Sequence, residues 1–118
     1  IHRCVAVADG FYEWKRDGKE KIPFYFLRDD KKMLFIAGIF ADNQFCLITE
    51  QASQNVNEIH HRQPVILNEN DINNYLNLQI DGSNFLKEAN KPNLEFYEIS
   101  KDVNKPTNNS ISLIKKLN

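Results

Sequence analysis

Cysteine is scarce in this chain. Its 118 residues hold two, Cys4 and Cys46, with no CxxC spacing. That rules out a zinc ribbon and a disulfide framework, and a reducing compartment fits best. Both cysteines sit in apolar, strand-like runs, where they are expected as buried free thiols. No apolar run approaches the roughly 20 residues of a membrane helix, so no membrane partner is expected. An excess of charge of either sign is also missing: the formal net charge is −1, against coating nucleic acid by bulk charge, though a local basic groove remains open. Glycine and proline number four each. No GxSxG, P-loop or GxGxxG is present. No repeats or low-complexity linkers divide the chain. The sequence does not begin with Met, and its first residues read as the middle of a strand.

What is present is a full complement of apolar residues, 42%, enough for a core. "RCVAVADG" reads as a strand ending at an Asp9-Gly10 turn. Pro23–Arg28 and Met33–Phe40 read as a hairpin around the polar 29–32 turn. Gln44–Glu50 is a further strand. "ASQNVNEIH" has Val56 and Ile59 on one helical face, with Ser53 as N-cap. "PVIL" returns to strand, "NENDINNYLN" and "SNFLKEA" read as short helices, and Leu94–Ser100 alternates as a strand. "ISLIKKLN" reads as a closing strand or a helical turn. The expectation is a single α+β domain over 1–118: mainly antiparallel strands forming a barrel-like or curved sheet core, with short helices in the second half. The early strands are apolar on both faces and need cover on both sides. The helices are too few to give it, so a missing N-terminal segment or another chain is expected to complete the core.

Two segments carry the candidate chemistry. In "ADGFYEWKR", Glu13 lies among Phe11, Tyr12 and Trp14. It is either a solvent-facing strand residue or an acid in a half-apolar cleft, usable for proton transfer. In "EIHHRQPVIL", His60 and His61 stand between a helical stretch and a strand. The plain alternative is a structural histidine; the sharper one pairs His60 with Arg62, imidazole for proton transfer and guanidinium for a phosphate oxygen. No third ligand completes a metal site, and no cofactor is called for. Lys15, Arg16, Lys19 and Lys21 form a basic run, either a solvated loop or a backbone contact to nucleic acid beside a stacking Trp14. Asn104 in "DVNKP" is a turn residue when taken alone.

Together "RCVAVADGFYEWKR", "FIAGIF", "CLITEQA", "IHHRQPVIL" and "YEISKDVNKP" resemble the SRAP (SOS response-associated peptidase) family, in order and spacing along nearly the whole chain. Val7, Gln63 and Lys105 depart from its usual Pro, Met and Asn. The resemblance implies a sensor of abasic sites in single-stranded DNA. An N-terminal cysteine would condense its amine with the sugar aldehyde and close a thiazolidine crosslink. It implies Glu13 and His60 as active-site residues, with Trp14 and Arg62 as DNA contacts beside them; Lys15 and Arg16 of the basic run, and Asn104, are expected to join those contacts. It further implies a C-terminal portion of the domain, in a bacterial cytoplasm at the nucleoid. The family's cysteine and its active-site asparagine are not among these residues, and Cys4 is a strand cysteine, so the chain alone is expected to be inactive. Two alternatives stay open: a non-catalytic DNA-binding scaffold and a self-processing cysteine peptidase.

Overall fold

A computed structural model describes residues 2–117. Its first sheet is built on β4 (Leu34–Ala41). One edge of β4 pairs antiparallel with β1 (His2–Ala8), Cys4 opposite Gly38. The other edge is shared by β5 (Gln44–Leu47) and β8 (Ile66–Leu67). A second sheet runs β2 (Phe11–Asp17), β3 (Glu20–Arg28), β9 (Leu94–Glu98). A two-stranded ribbon joins β6 (Thr49–Gln51) to β7 (Arg62–Pro64). Two short helices, α1 (Ile72–Leu76) and α2 (Gly82–Glu88), complete the elements. The α+β class holds. A barrel does not form: β1, β2, β5 and β9 are edges, and the sheets do not close on one another.

Strand alternation sorts the side chains. From β4, Leu34 and Ile36 enter one core cluster with Phe26, Val56, Ile59, Ile66 and Leu94. Phe11, Phe24 and Phe96 of the second sheet pack on it. Phe35 and Ala37 point the other way, into a cluster with Val65, Leu67, Tyr75, Phe85 and Leu86. β4 is thus covered on both faces, and α1 and α2 supply more of that cover than expected. The cover stops short in two places. Phe45, 67% exposed, stands with the exposed Phe40 and Leu47 where β5 pairs with the end of β4, and Val7, 59% exposed, lies on the opposite edge near the start of β4.

Several local expectations are corrected. Pro23–Arg28 and Met33–Phe40 are not a hairpin, because β3 and β4 lie in different sheets. The hairpin is instead β2–β3, closed at Gly18, whose φ of +62° favours glycine. Gln44–Glu50 breaks at Ile48, whose N–H bonds to Ala37 O while β6 departs into the ribbon. The stretch around Val56 gives one 3-10 turn, Val56–Glu58, rather than a helix. Its polar side chains bond elsewhere: Ser53 Oγ to Asn55 Oδ1 at 2.8 Å, and Asn55 Nδ2 to Leu94 O at 3.0 Å. Cys46 is exposed on β5 and Cys4 is half-buried, so neither is a fully buried thiol. The end of the chain does both things foreseen for it, with a 3-10 turn at Ile111–Ile114 and then a bridge from Lys116 to Ile99.

Candidate functional site

Glu13 lies mid-strand in β2, opposite Phe24. Alternation puts it on the face of Phe11, whose ring stacks on Phe26 at 4.9 Å, so the acid sits where the aromatic core meets solvent. His60 arrives by another route. Val56 and Ile59 are buried and hold the short turn down, and His60 N–H closes it on Val56 O at 3.1 Å. The imidazole then stands against β2, with Nε2 3.8 Å from Glu13 Oε1. Both side chains are partly shielded, 34% exposed for His60 and 26% for Glu13.

The pair is oriented on both sides. Glu13 Oε1 accepts from Trp14 N–H at 3.2 Å. Nδ1 of His60 lies 3.2 Å from both the N–H and the carbonyl of Arg62. A neutral ring accepts that N–H at Nδ1 and carries its proton on Nε2, toward the carboxylate. A protonated ring donates from Nδ1 to the carbonyl. The Arg62 main chain therefore has a partner for either form of the ring. At 3.8 Å the two groups are close but unbonded, which leaves room for a substrate oxygen to engage both.

Arg62 is exposed, and its guanidinium is tied back to the chain rather than left free. It donates from Nη2 to Thr49 O at 2.9 Å and to Thr49 Oγ1 at 3.1 Å, across the β6–β7 ribbon. The His61 ring stacks on His60 at 4.7 Å. Trp14 faces the opposite side of β2 from Glu13, near Tyr12 at 6.4 Å, and its Nε1 donates to Asn104 Oδ1 at 2.6 Å. Asn104 ends the 3-10 turn Lys101–Asn104, capped by Ser100. Lys15 and Arg16 are both exposed, and alternation places Lys15 on the Glu13 face and Arg16 on the Trp14 face. The structure thus brings Glu13 to His60 and Trp14 to Asn104, in two groups on either side of one edge strand. Among the described residues no group of three His, Cys, Asp or Glu is placed to hold a metal.

Sequence reasoning missed two residues here. Thr49 anchors Arg62, and Gln63, 8% exposed, accepts from Ser53 N–H at 2.9 Å. Both act through the β6–β7 pairing, which no local pattern announced. A cavity of about 610 Å³ lies elsewhere, floored by Ile39, Ile48, Val65 and Leu86 and touching Thr49 at its rim.

The site is thus a carboxylate–imidazole pair set between a sheet and a ribbon of an open α+β assembly. The chain belongs to the SOS response associated peptidase (SRAP) family, whose model matches residues 1–106. It is 32% identical over 126 residues to the abasic site processing protein YoqW of Bacillus subtilis, an alignment spanning 95% of this chain and 56% of that one. It is 28% identical over 130 residues to the abasic site processing protein YMR114C of Saccharomyces cerevisiae, across 98% of this chain and 35% of the relative. A crystal structure of a protein from Bacteroides thetaiotaomicron shares the fold at a TM-score of 0.80 and 24% identity, over 98% of this chain and 57% of that one. The chain therefore spans little more than half of these relatives, or less. Among the described residues no helix is long and apolar enough to cross a membrane.

Proposed function

We propose that this chain carries the acid–base half of an abasic-site sensor acting on single-stranded DNA. One observation carries the reading: Glu13 and His60, distant in sequence, stand 3.8 Å apart in a partly shielded cleft. The names of its relatives, abasic site processing proteins, supply the substrate class. An abasic sugar must open from hemiacetal to aldehyde, an amine must then add to that aldehyde, and the carbinolamine so formed must lose water to become an imine. Each step moves a proton on or off oxygen, the work proposed for Glu13 and His60, and their 3.8 Å separation supports that reading. Trp14, Asn104, Lys15, Arg16 and Arg62 are the proposed DNA contacts, through stacking and phosphate charge.

The nucleophile is proposed to come from the further length that the relatives possess. An N-terminal cysteine there would condense its α-amine with the aldehyde, releasing water. Its thiolate would then add to the imine carbon, whose nitrogen takes up a proton, and a thiazolidine closes. Cys4 packs in β1 against Gly38 and is not that residue. The same segment is the proposed cover for the exposed Phe40, Phe45 and Leu47, and a bacterial cytoplasm is the proposed setting. A denaturing gel after incubation with abasic single-stranded DNA tests the proposal. A protein restored to the relatives' length is expected to give a covalent band, and the 118 residues alone none. Absence of the band from the restored protein overturns the crosslinking reading.

A second reading rests on the same cysteine placement. Without a nucleophile beside Glu13, these residues would bind single-stranded DNA without bonding to it. Oligonucleotide binding by a restored protein that leaves no covalent band favours this scaffold role.

A further inference from the structure

The outward face of the β2–β3 hairpin holds an arrangement that the Glu13–His60 pair does not use. Arg16 and Lys21 are direct cross-strand partners, both exposed and on the same face of the sheet. Like charges directly opposite one another on antiparallel strands lie about 5 Å apart at Cβ and repel. Ordinary surfaces relieve such a pair with a nearby acid. Here neither cation is in an ion pair among the described residues. The hairpin's own acids do not serve them: Asp17 and Glu20 face each other one register step along, on the other face, and Glu20 pairs with Lys101 at 3.4 Å.

Two residues back along β2, on the Arg16 face, is Trp14, and two further is Tyr12. Trp14 has spent its one donor on Asn104, so its ring is held in place and offers a π surface rather than a hydrogen bond. Two unrelieved cations next to two aromatic rings match the chemistry of a single nucleic-acid strand, with phosphate for the cations and an unstacked base for the rings. A duplex keeps its base faces stacked and inaccessible. The register also divides the basic run that the sequence leaves undivided: Lys15 turns to the other face, and Lys21, from the returning strand, replaces it as the partner of Arg16.

We propose that Arg16 and Lys21 form a two-pronged phosphate clamp, with Tyr12 and Trp14 as the stacking surface beside it, for the strand that flanks the one at Glu13–His60. This rests on the single-stranded-DNA reading above and names the route of that strand over the hairpin.

The test is fluorescence anisotropy of the protein with a labelled oligothymidylate that carries no abasic site, over a series of salt concentrations. Each lost phosphate contact lowers the slope of log K against log salt by about 0.7 for a single strand. The double variant Arg16→Gln/Lys21→Gln is expected to lower it by roughly 1.4 and to weaken low-salt binding roughly tenfold. Its thermal midpoint is expected to stay level or rise, because the repulsion is gone. Lys87→Gln, on α2, is the control and is expected to leave the slope alone. Intact binding with an unchanged slope in the double variant overturns the clamp but leaves the DNA reading standing. No binding by the unmodified protein overturns both. Unchanged oligonucleotide binding with lost co-sedimentation on phosphatidylserine vesicles assigns the pair to a lipid surface and overturns the clamp.

Discussion

Nε2 of His60 stands 3.8 Å from Oε1 of Glu13, while Nδ1 of the same ring rests on the Arg62 main chain. The ring is therefore held from one side and faces the carboxylate on the other. The carboxylate is steadied in turn by the N–H of Trp14. Two residues oriented this way are expected to act as one unit.

In a protein extended to the relatives' length, Glu13→Gln and His60→Ala are each expected to slow trapping of abasic DNA by about 10²–10⁴-fold, the usual worth of a general acid or base. The double variant is expected to be little slower than the slower single one, because either change disables the pair. Gel-quantified trapping rates check this. Wild-type rates in both single variants would remove the pair from the chemistry.

Asn104→Ala removes the acceptor for Trp14 Nε1. The only tryptophan in the chain then gains freedom, and its emission maximum and anisotropy are expected to change. Single-stranded DNA binding should weaken several-fold, since an aromatic contributes about 1–3 kcal/mol per stacked base and part of that depends on its placement. An unchanged emission spectrum would show that the hydrogen bond does not hold the ring.

Tyr75 donates its hydroxyl to Gly38 O at 2.6 Å from a buried position. Tyr75→Phe is expected to cost about 1–2 kcal/mol in chemical denaturation, because the Gly38 carbonyl loses its partner. Burial raises the Tyr75 phenol above its usual value, and Tyr25 and Tyr97 shift the same way. A raised folded value means the associated stability is fully present below about pH 10 and is lost as pH climbs from there through the raised values. Alkaline unfolding monitored by circular dichroism should begin there.

Arg28, 6% exposed, donates to Asp30 at 3.0 Å from Nε and at 2.7 Å from Nη2. The Arg28 hydrogen bond, helped by the Lys32 N–H, holds the Asp30 carboxyl below its usual value. A lowered folded value means stability present above about pH 4 and lost as pH falls through the lowered value. Asp30→Asn is expected to lower the thermal midpoint at neutral pH by leaving Arg28 buried without its counter-charge. The gap to the unmodified protein should close at low pH. A gap independent of pH would assign the effect to packing.

Side-chain character made some of this molecule legible before any coordinates. β1, β4 and β9 read correctly because branched and aromatic residues crowd short runs, and "SNFLKEA" reads as the helix found at α2, where the structure adds Asp81 as the cap, accepting from Ser83 and Asn84 N–H. Glu13, Trp14, His60 and Arg62 are nameable from local motifs, and Asn104, a turn residue when taken alone, is not. That Glu13 and His60 share one cavity is what the family resemblance implies; that Trp14 meets Asn104 is not legible in the sequence. The false hairpin between β3 and β4 shows why: a polar turn between two apolar runs is compatible with pairing, yet the partner is chosen by the packing of distant Phe96 and Phe26.

The sequence by itself determined the composition of the core, the family, and the residue types available for acid–base work. Those follow from local chemistry, which a linear string carries intact. Only the tertiary structure decided that Glu13 faces His60 while Trp14 faces Asn104, that Thr49 holds Arg62, and that Arg16 opposes Lys21. Each of these depends on strand register, and a shift of one residue sends every side chain to the other face. The β2–β3 register is fixed by the turn at Gly18, but the meetings of Glu13 with His60, Trp14 with Asn104 and Thr49 with Arg62 are set by contacts far apart along the chain, which no short stretch contains.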